Sequence, residues 1–140
     1  HTDGSSLDLD NKTWERVAAP HSVDGKAVTL SGGVAWARGN RILATGGVNK
    51  GIFLDAISGR YALVRQEDYL KQPIGWYKFS GNLYEYDAMA DMWINAYSSP
   101  SLARAGALAV PTSIGTFYIG GELKPALRTP QIVLICKKPL

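Results

Sequence analysis

The sequence predicts an all-β fold, a fragment of a β-propeller, and three observations predict it. An apolar strand ending in a double glycine occurs twice, as Arg41-Ile42-Leu43-Ala44-Thr45-Gly46-Gly47 and as Gly115-Thr116-Phe117-Tyr118-Ile119-Gly120-Gly121. An aspartate followed at one fixed spacing by a tryptophan also occurs twice, as Asp8…Trp14 and Asp87…Trp93. Paired glycines let a strand end turn tightly where blades crowd the central channel, and a tryptophan fills the gap between successive blades. The third observation is length. Closing a propeller takes about four to eight blades of roughly 40 to 50 residues each, and 140 residues hold about two of them. The chain also opens at His1 without an initiator methionine. A fragment is therefore expected. The remaining blades would come from another chain, from the rest of the gene product, or from self-assembly, with three copies giving about six blades as the simplest case.

This order of motifs is the grammar of kelch repeats, whose unit is one four-stranded blade. Each element follows from local chemistry. His1 to Ser6 are polar and read as loose, after which Leu7-Asp8-Leu9-Asp10 alternates as a strand. Asn11-Lys12 makes a turn into Thr13-Trp14-Glu15-Arg16-Val17, so residues 1–17 read as the outer strands of a preceding blade. A complete blade is expected over residues 18–99. Its linker runs from Ala19-Pro20 to about Lys26, its inner strand is Gly33 to Ala37, and Arg38-Gly39-Asn40 turns into Arg41 to Thr45. Its outer strands are Leu83 to Asp87 and Trp93 to Ala96. Residues 48–80 interrupt this blade as an insertion. Ile52 to Ile57 and Gln66 to Lys71 have helical character, and Pro73 with Gly75 ends the second piece. Residues 100–140 read as a partial following blade. Its strands are expected at Ala103 to Val110, Thr116 to Gly121 and Gln131 to Cys136.

Composition narrows the function classes. The net charge is +3 and the basic residues are scattered, which argues against a nucleic-acid stripe; Lys137-Lys138 reads as a solvated tail. The sequence has no run of eighteen apolar residues, so no membrane span is expected. With Cys136 the single cysteine and His1 and His21 the two histidines, neither an internal disulfide nor a Cys/His metal site is expected. No cofactor is expected. Cys136 ends an apolar strand and reads as a buried, inert thiol, whereas His21, in a linker, reads as solvated. Core packing is expected for Trp14, Trp36 and Trp93.

Gly46-Gly47-Val48-Asn49, the insertion after it, and Gly120-Gly121-Glu122-Leu123-Lys124-Pro125-Ala126-Leu127-Arg128-Thr129 together resemble the N-acetylneuraminate (sialic acid) mutarotase family. The resemblance covers most of Gly33 to Ile135, and Gly121 to Thr129 is its most specific part. It implies a six-bladed kelch propeller that speeds interconversion of the α and β anomers of sialic acid, located in the bacterial periplasm or at the cell surface. By the same resemblance Glu122 and Arg128 are the catalytic and binding pair of a central cleft, while Asn49 and the insertion lie on its rim. The insertion is shorter than in the family's enzymes, and the chain stops soon after the Glu/Arg blade. The second departure fits a cyclically permuted branch. The expected fold is thus about two blades and an edge strand pair of a six-bladed kelch propeller.

Mutarotation needs one group to take the anomeric hydroxyl proton and another to protonate the ring oxygen. A carboxylate in a partly desolvated channel suits that task, and Glu122 is the candidate. A guanidinium can hold the sugar carboxylate by two parallel hydrogen bonds, and Arg128 is the candidate. Lys124, Trp76 and Tyr77 complete the set of candidate substrate-binding residues with Asn49. Two alternatives stand beside this reading. Glu122 and Arg128 could form only a surface ion pair, and Trp76 and Tyr77 could be packing residues. The alternative to an enzyme is a non-catalytic kelch module that binds a protein or glycan through its loops.

Overall fold

The computed structural model describes residues 1–22 and 24–136. The candidate tail at Lys137-Lys138 lies outside the described residues. The described chain is mainly antiparallel β-sheet, with helix confined to short pieces. β1 (Gly4–Asp8) pairs with β2 (Thr13–Val17) as a two-stranded ribbon. β3 (Gly33–Arg38), β4 (Arg41–Gly46), β5 (Asn82–Asp87) and β6 (Met92–Ser98) follow one another across a four-stranded sheet, one propeller blade. Between β4 and β5 lie α1 (Lys50–Ile57), α2 (Gln66–Tyr69) and a 3₁₀ turn at Ile74–Tyr77. β7 (Leu108–Thr112), β8 (Gly115–Ile119) and β11 (Ile132–Ile135) form a three-stranded sheet in the order β11-β8-β7. A small hairpin, β9 (Glu122–Lys124) with β10 (Leu127–Arg128), stands between β8 and β11.

The repeated aspartates make turns. Asp8 accepts the amides of Asp10 at 2.8 Å and Asn11 at 2.9 Å, and Asp87 accepts those of Met89 at 2.9 Å and Ala90 at 3.2 Å. Each carboxylate closes a strand and aims the chain back towards its tryptophan. This corrects the first strand. β1 starts at Gly4 and stops at Asp8, because Asp8 is spent on the turn, and Gly4 to Ser6 are paired with β2. The two sheets share one core of Trp36, Leu43, Leu83, Leu102 and Tyr118, flanked by Val34, Ala107, Ala109, Val133 and Ile135. β1–β2 is tied to the blade through Ala18, whose amide donates to Asp91 Oδ1 at 2.7 Å and whose carbonyl accepts from Trp93 Nε1 at 2.8 Å.

Three further expectations are corrected. Trp14 is 67% exposed, since its ribbon has only two strands, whereas Trp36 is buried and Trp93 lies half-buried against Tyr86. Cys136 is exposed because period-two alternation places it on the same outward side as Leu134 and Ile132. The inner strand of the last sheet is Leu108–Thr112 and does not begin at Ala103. Residues 103–106 instead form a crossing segment: the Arg104 carbonyl accepts from Gly47 N at 2.7 Å, and Gly106 N donates to Gly32 O at 2.8 Å. His21 is exposed as expected.

Candidate functional site

The site is assembled at the point where the two double glycines meet the insertion. Gly46 and Gly47 have φ of +74° and +106°, Gly120 and Gly121 +63° and +90°. At Gly46 the requirement is steric as well. A Cβ there would lie 2.5 Å from Arg104 O and 2.6 Å from Tyr118 Oη. The second turn delivers Glu122 into β9, where its backbone exchanges hydrogen bonds with Ala105, N to O at 2.7 Å and O from N at 3.0 Å. Antiparallel register sets Arg128 directly across from Glu122. Their side chains meet through Arg128 Nε and Glu122 Oε1 at 3.8 Å, longer than a hydrogen bond, with Glu122 half-buried and Arg128 largely exposed.

Glu122 lines a cleft of about 300 Å³, and the opposite walls come from the insertion. Ile52, Phe53, Ala56 and Ile57 present the inner side of α1, with Val48 before the helix and Tyr61, Tyr69, Tyr77 and Phe79 after it completing an apolar, aromatic lining. Asn49 also lines the cleft and caps α1: its Oδ1 accepts the Ile52 amide at 3.1 Å. Asp55, buried within α1, interrupts an apolar run because its carboxylate receives the amides of Ala62 and Leu63, each at 3.1 Å, folding the chain after the helix towards the cleft.

The other two aromatic candidates differ in place. Tyr77 is buried in the cleft wall, and its hydroxyl donates to Tyr69 O. Burial keeps its phenol above the ordinary tyrosine range, so it stays a neutral donor. Trp76 packs edge-on against Tyr69 and Tyr77, with centroids 6.0 and 5.1 Å apart, and is not among the cleft-lining residues. Lys124 is a tether between hairpin and insertion. Its ammonium donates to Leu70 O at 2.9 Å and Gln72 O at 2.7 Å, and it lies 5.9 Å from the Tyr77 ring centre. The structure thus brings Glu122, Asn49 and Tyr77 to one cleft, sets Arg128 beside Glu122, and gives Lys124 and Trp76 supporting contacts. Sequence reasoning passed over Phe79, Tyr61 and Tyr69, whose clustering follows from the fold of the insertion. Among the described residues, no group of three His, Cys, Asp or Glu side chains is placed to hold a metal ion.

Known proteins share this fold and sequence pattern. The solved structure of YjhT superposes on the chain with a TM-score of 0.72 at 27% identity, covering 93% of this chain and 38% of that one. N-acetylneuraminate epimerase 1 of Escherichia coli O6:H1 (strain CFT073) is 27% identical over 132 residues, 89% of this chain and 34% of the relative. N-acetylneuraminate epimerase of Escherichia coli (strain K12) is 29% identical over 119 residues, 74% of this chain and 30% of the relative. The chain therefore spans about a third of the length of the curated relatives it matches. The sequence pattern of the N-acetylneuraminate epimerase family matches residues 1–138, and the chain belongs to that family.

Proposed function

We propose that this chain supplies the Glu122/Arg128 part of the active cleft of a sialic acid mutarotase, an isomerase whose remaining blades lie outside these residues. The observation that carries the reading is the Glu122 carboxylate opening onto an aromatic cleft of about 300 Å³, with a guanidinium across the hairpin. In the α-to-β direction Glu122 takes the proton of the anomeric hydroxyl. The ring C–O bond breaks, the ring oxygen takes a proton from solvent water, and the anomeric carbon becomes a carbonyl; on closure at the other face the new hydroxyl recovers the proton held by Glu122 and the ring oxygen returns its own to water. Arg128 holds the carboxylate borne by the same carbon. An exposed ion pair contributes under about 1 kcal/mol, so exchanging Glu122 for a substrate carboxylate costs Arg128 little. The aromatic lining limits water around the open-chain form. By family resemblance we assign the site to the periplasm or cell surface of a bacterium, where free sialic acid arrives from outside.

NMR magnetisation exchange between the anomers, measured on the full-length gene product, tests the reading. Accelerated exchange of N-acetylneuraminate, with glucose exchanging at its uncatalysed rate, is the expected result. Equal acceleration of both sugars would remove the role given to Arg128, and acceleration of neither would remove the activity.

A further inference from the structure

Arg104 is a fully buried cation whose hydrogen-bond partners are all amide oxygens. Nη1 donates to Gly120 O at 3.0 Å and Gln131 O at 2.8 Å, Nη2 donates to Gln131 Oε1, and the guanidinium carbon lies 5.2 Å from the centre of the Tyr118 ring. Nε is buried with no hydrogen-bond partner among the described residues. Burying an ion is costly unless its surroundings repay it, and amide oxygens repay it less fully than a carboxylate would. An apolar residue would fill the same space without that penalty. What an apolar residue could not do is join two backbone points. Gly120 immediately precedes the Gly121–Glu122 turn, and Gln131 follows Thr129, whose amide donates to Gly121 O at 3.0 Å. Residues 120–131 carry the whole β9–β10 hairpin, and Arg104 closes that loop at both ends. Its own backbone reaches the first repeat through Gly47 N, and its neighbour Ala105 holds the Glu122 backbone.

We infer that Arg104 is a positioning residue: it clamps the ends of the 120–131 loop so that the short Glu122 side chain is held at a fixed depth in the cleft. The inference rests on the mutarotase reading for its catalytic consequence, and on the hydrogen bonds alone for its structural one. Arg128, long and exposed, can still reach a substrate carboxylate from a loosened hairpin. Loss of the clamp therefore reaches kcat more than KM.

Arg104→Lys in the full-length gene product is the test, since an ammonium keeps the charge but lacks the planar fork that reaches the three acceptors. A misplacement of about 1 Å can lower a rate by about 10²-fold. A fall in kcat of roughly 10- to 100-fold is expected, with KM changed by less than about threefold, and the Glu122 and Thr129 amides should exchange hydrogen at least about tenfold faster while those of Leu43 and Ala44 keep their rates. Gln131→Ala, which removes one acceptor at an exposed position, should move the same readouts in the same direction by less, and it serves if the lysine variant does not fold. Unchanged exchange at Glu122 and Thr129 in Gln131→Ala, or equal loosening of Leu43 and Ala44 in either variant, overturns the inference. If the wild-type protein speeds no anomer exchange, the functional reading fails separately, and the amide pattern still decides whether Arg104 clamps the loop.

Discussion

Two glycines with the same backbone angle separate conformational strain from crowding. Gly46 and Gly59 both have φ of +74°, but a Cβ at Gly59 would meet nothing within 4 Å, whereas at Gly46 it would meet Arg104 O at 2.5 Å and Tyr118 Oη at 2.6 Å. Alanine in the left-handed region costs roughly 1–2 kcal/mol, partly offset by about 0.4–1 kcal/mol from the stiffer unfolded chain. Gly59→Ala is thus expected to destabilise by about 1 kcal/mol. Gly46→Ala carries the same term and must also displace the Arg104 carbonyl, which accepts the Gly47 amide at 2.7 Å. An unsatisfied buried amide adds about 1–3 kcal/mol, and the displaced Tyr118 adds to it, for about 3 kcal/mol in all. Urea unfolding of the two variants measures the difference. With a slope of about 1–3 kcal/mol per molar urea, the midpoint of Gly46→Ala should fall below that of Gly59→Ala by roughly 1 M. Equal midpoints would refute the claim that the first double glycine is required by the close approach of the crossing segment.

Lys124→Met should free the insertion from the hairpin, removing two hydrogen bonds to Leu70 O and Gln72 O worth about 1–3 kcal/mol together; faster proteolysis between Gln66 and Lys78 would show it, and unchanged cleavage would deny the tether. Tyr118 is buried and its phenol is pushed up to about 12, first by burial, with Arg104 pulling the other way. Its neutral form is thus favoured in the folded state, so its contribution is intact below about pH 10 and is lost as pH rises from there to about 12, on the order of 3 kcal/mol at 1.36 kcal/mol per unit. Alkaline unfolding of Tyr118→Phe should lack that component, and identical pH profiles for the two proteins would contradict the assignment.

The strand positions were legible because period-two alternation and the Gly-Gly turns are local, and residues near Ala35, Leu43, Tyr84, Ile94, Leu108, Tyr118 and Val133 all lie in strands. The helical pieces of the insertion were legible for the same reason. Trp14 and Cys136 were misread because burial depends on which sheet face is covered, and alternation states only that faces differ. Ala103 to Val110 is an apolar run that resembles a strand throughout, but the Pro100–Leu102 turn and the bond from Gly47 hold its first part as a crossing segment. Arg104 carried no local signal. Its acceptors lie 16 and 27 residues away in sequence, so only the folded chain shows that it is buried. Glu122 and Arg128 came from a motif, and the hairpin register explains the spacing: with a bulge between Leu127 and Arg128, the two face one another across the turn.

The central claim is that the two members of this pair divide the chemistry, and Glu122→Gln measured beside Arg128→Lys tests it most directly. Magnetisation exchange between the anomers of N-acetylneuraminate, followed to saturation, resolves each variant into kcat and KM. Glutamine keeps the shape of Glu122 but cannot accept and return a proton, so kcat should fall by roughly 10²- to 10⁴-fold with KM little changed. Lysine cannot make the two-pronged contact, so Arg128→Lys should raise KM and leave most of kcat. A Glu122→Gln protein that exchanges the anomers at the wild-type rate would contradict the account.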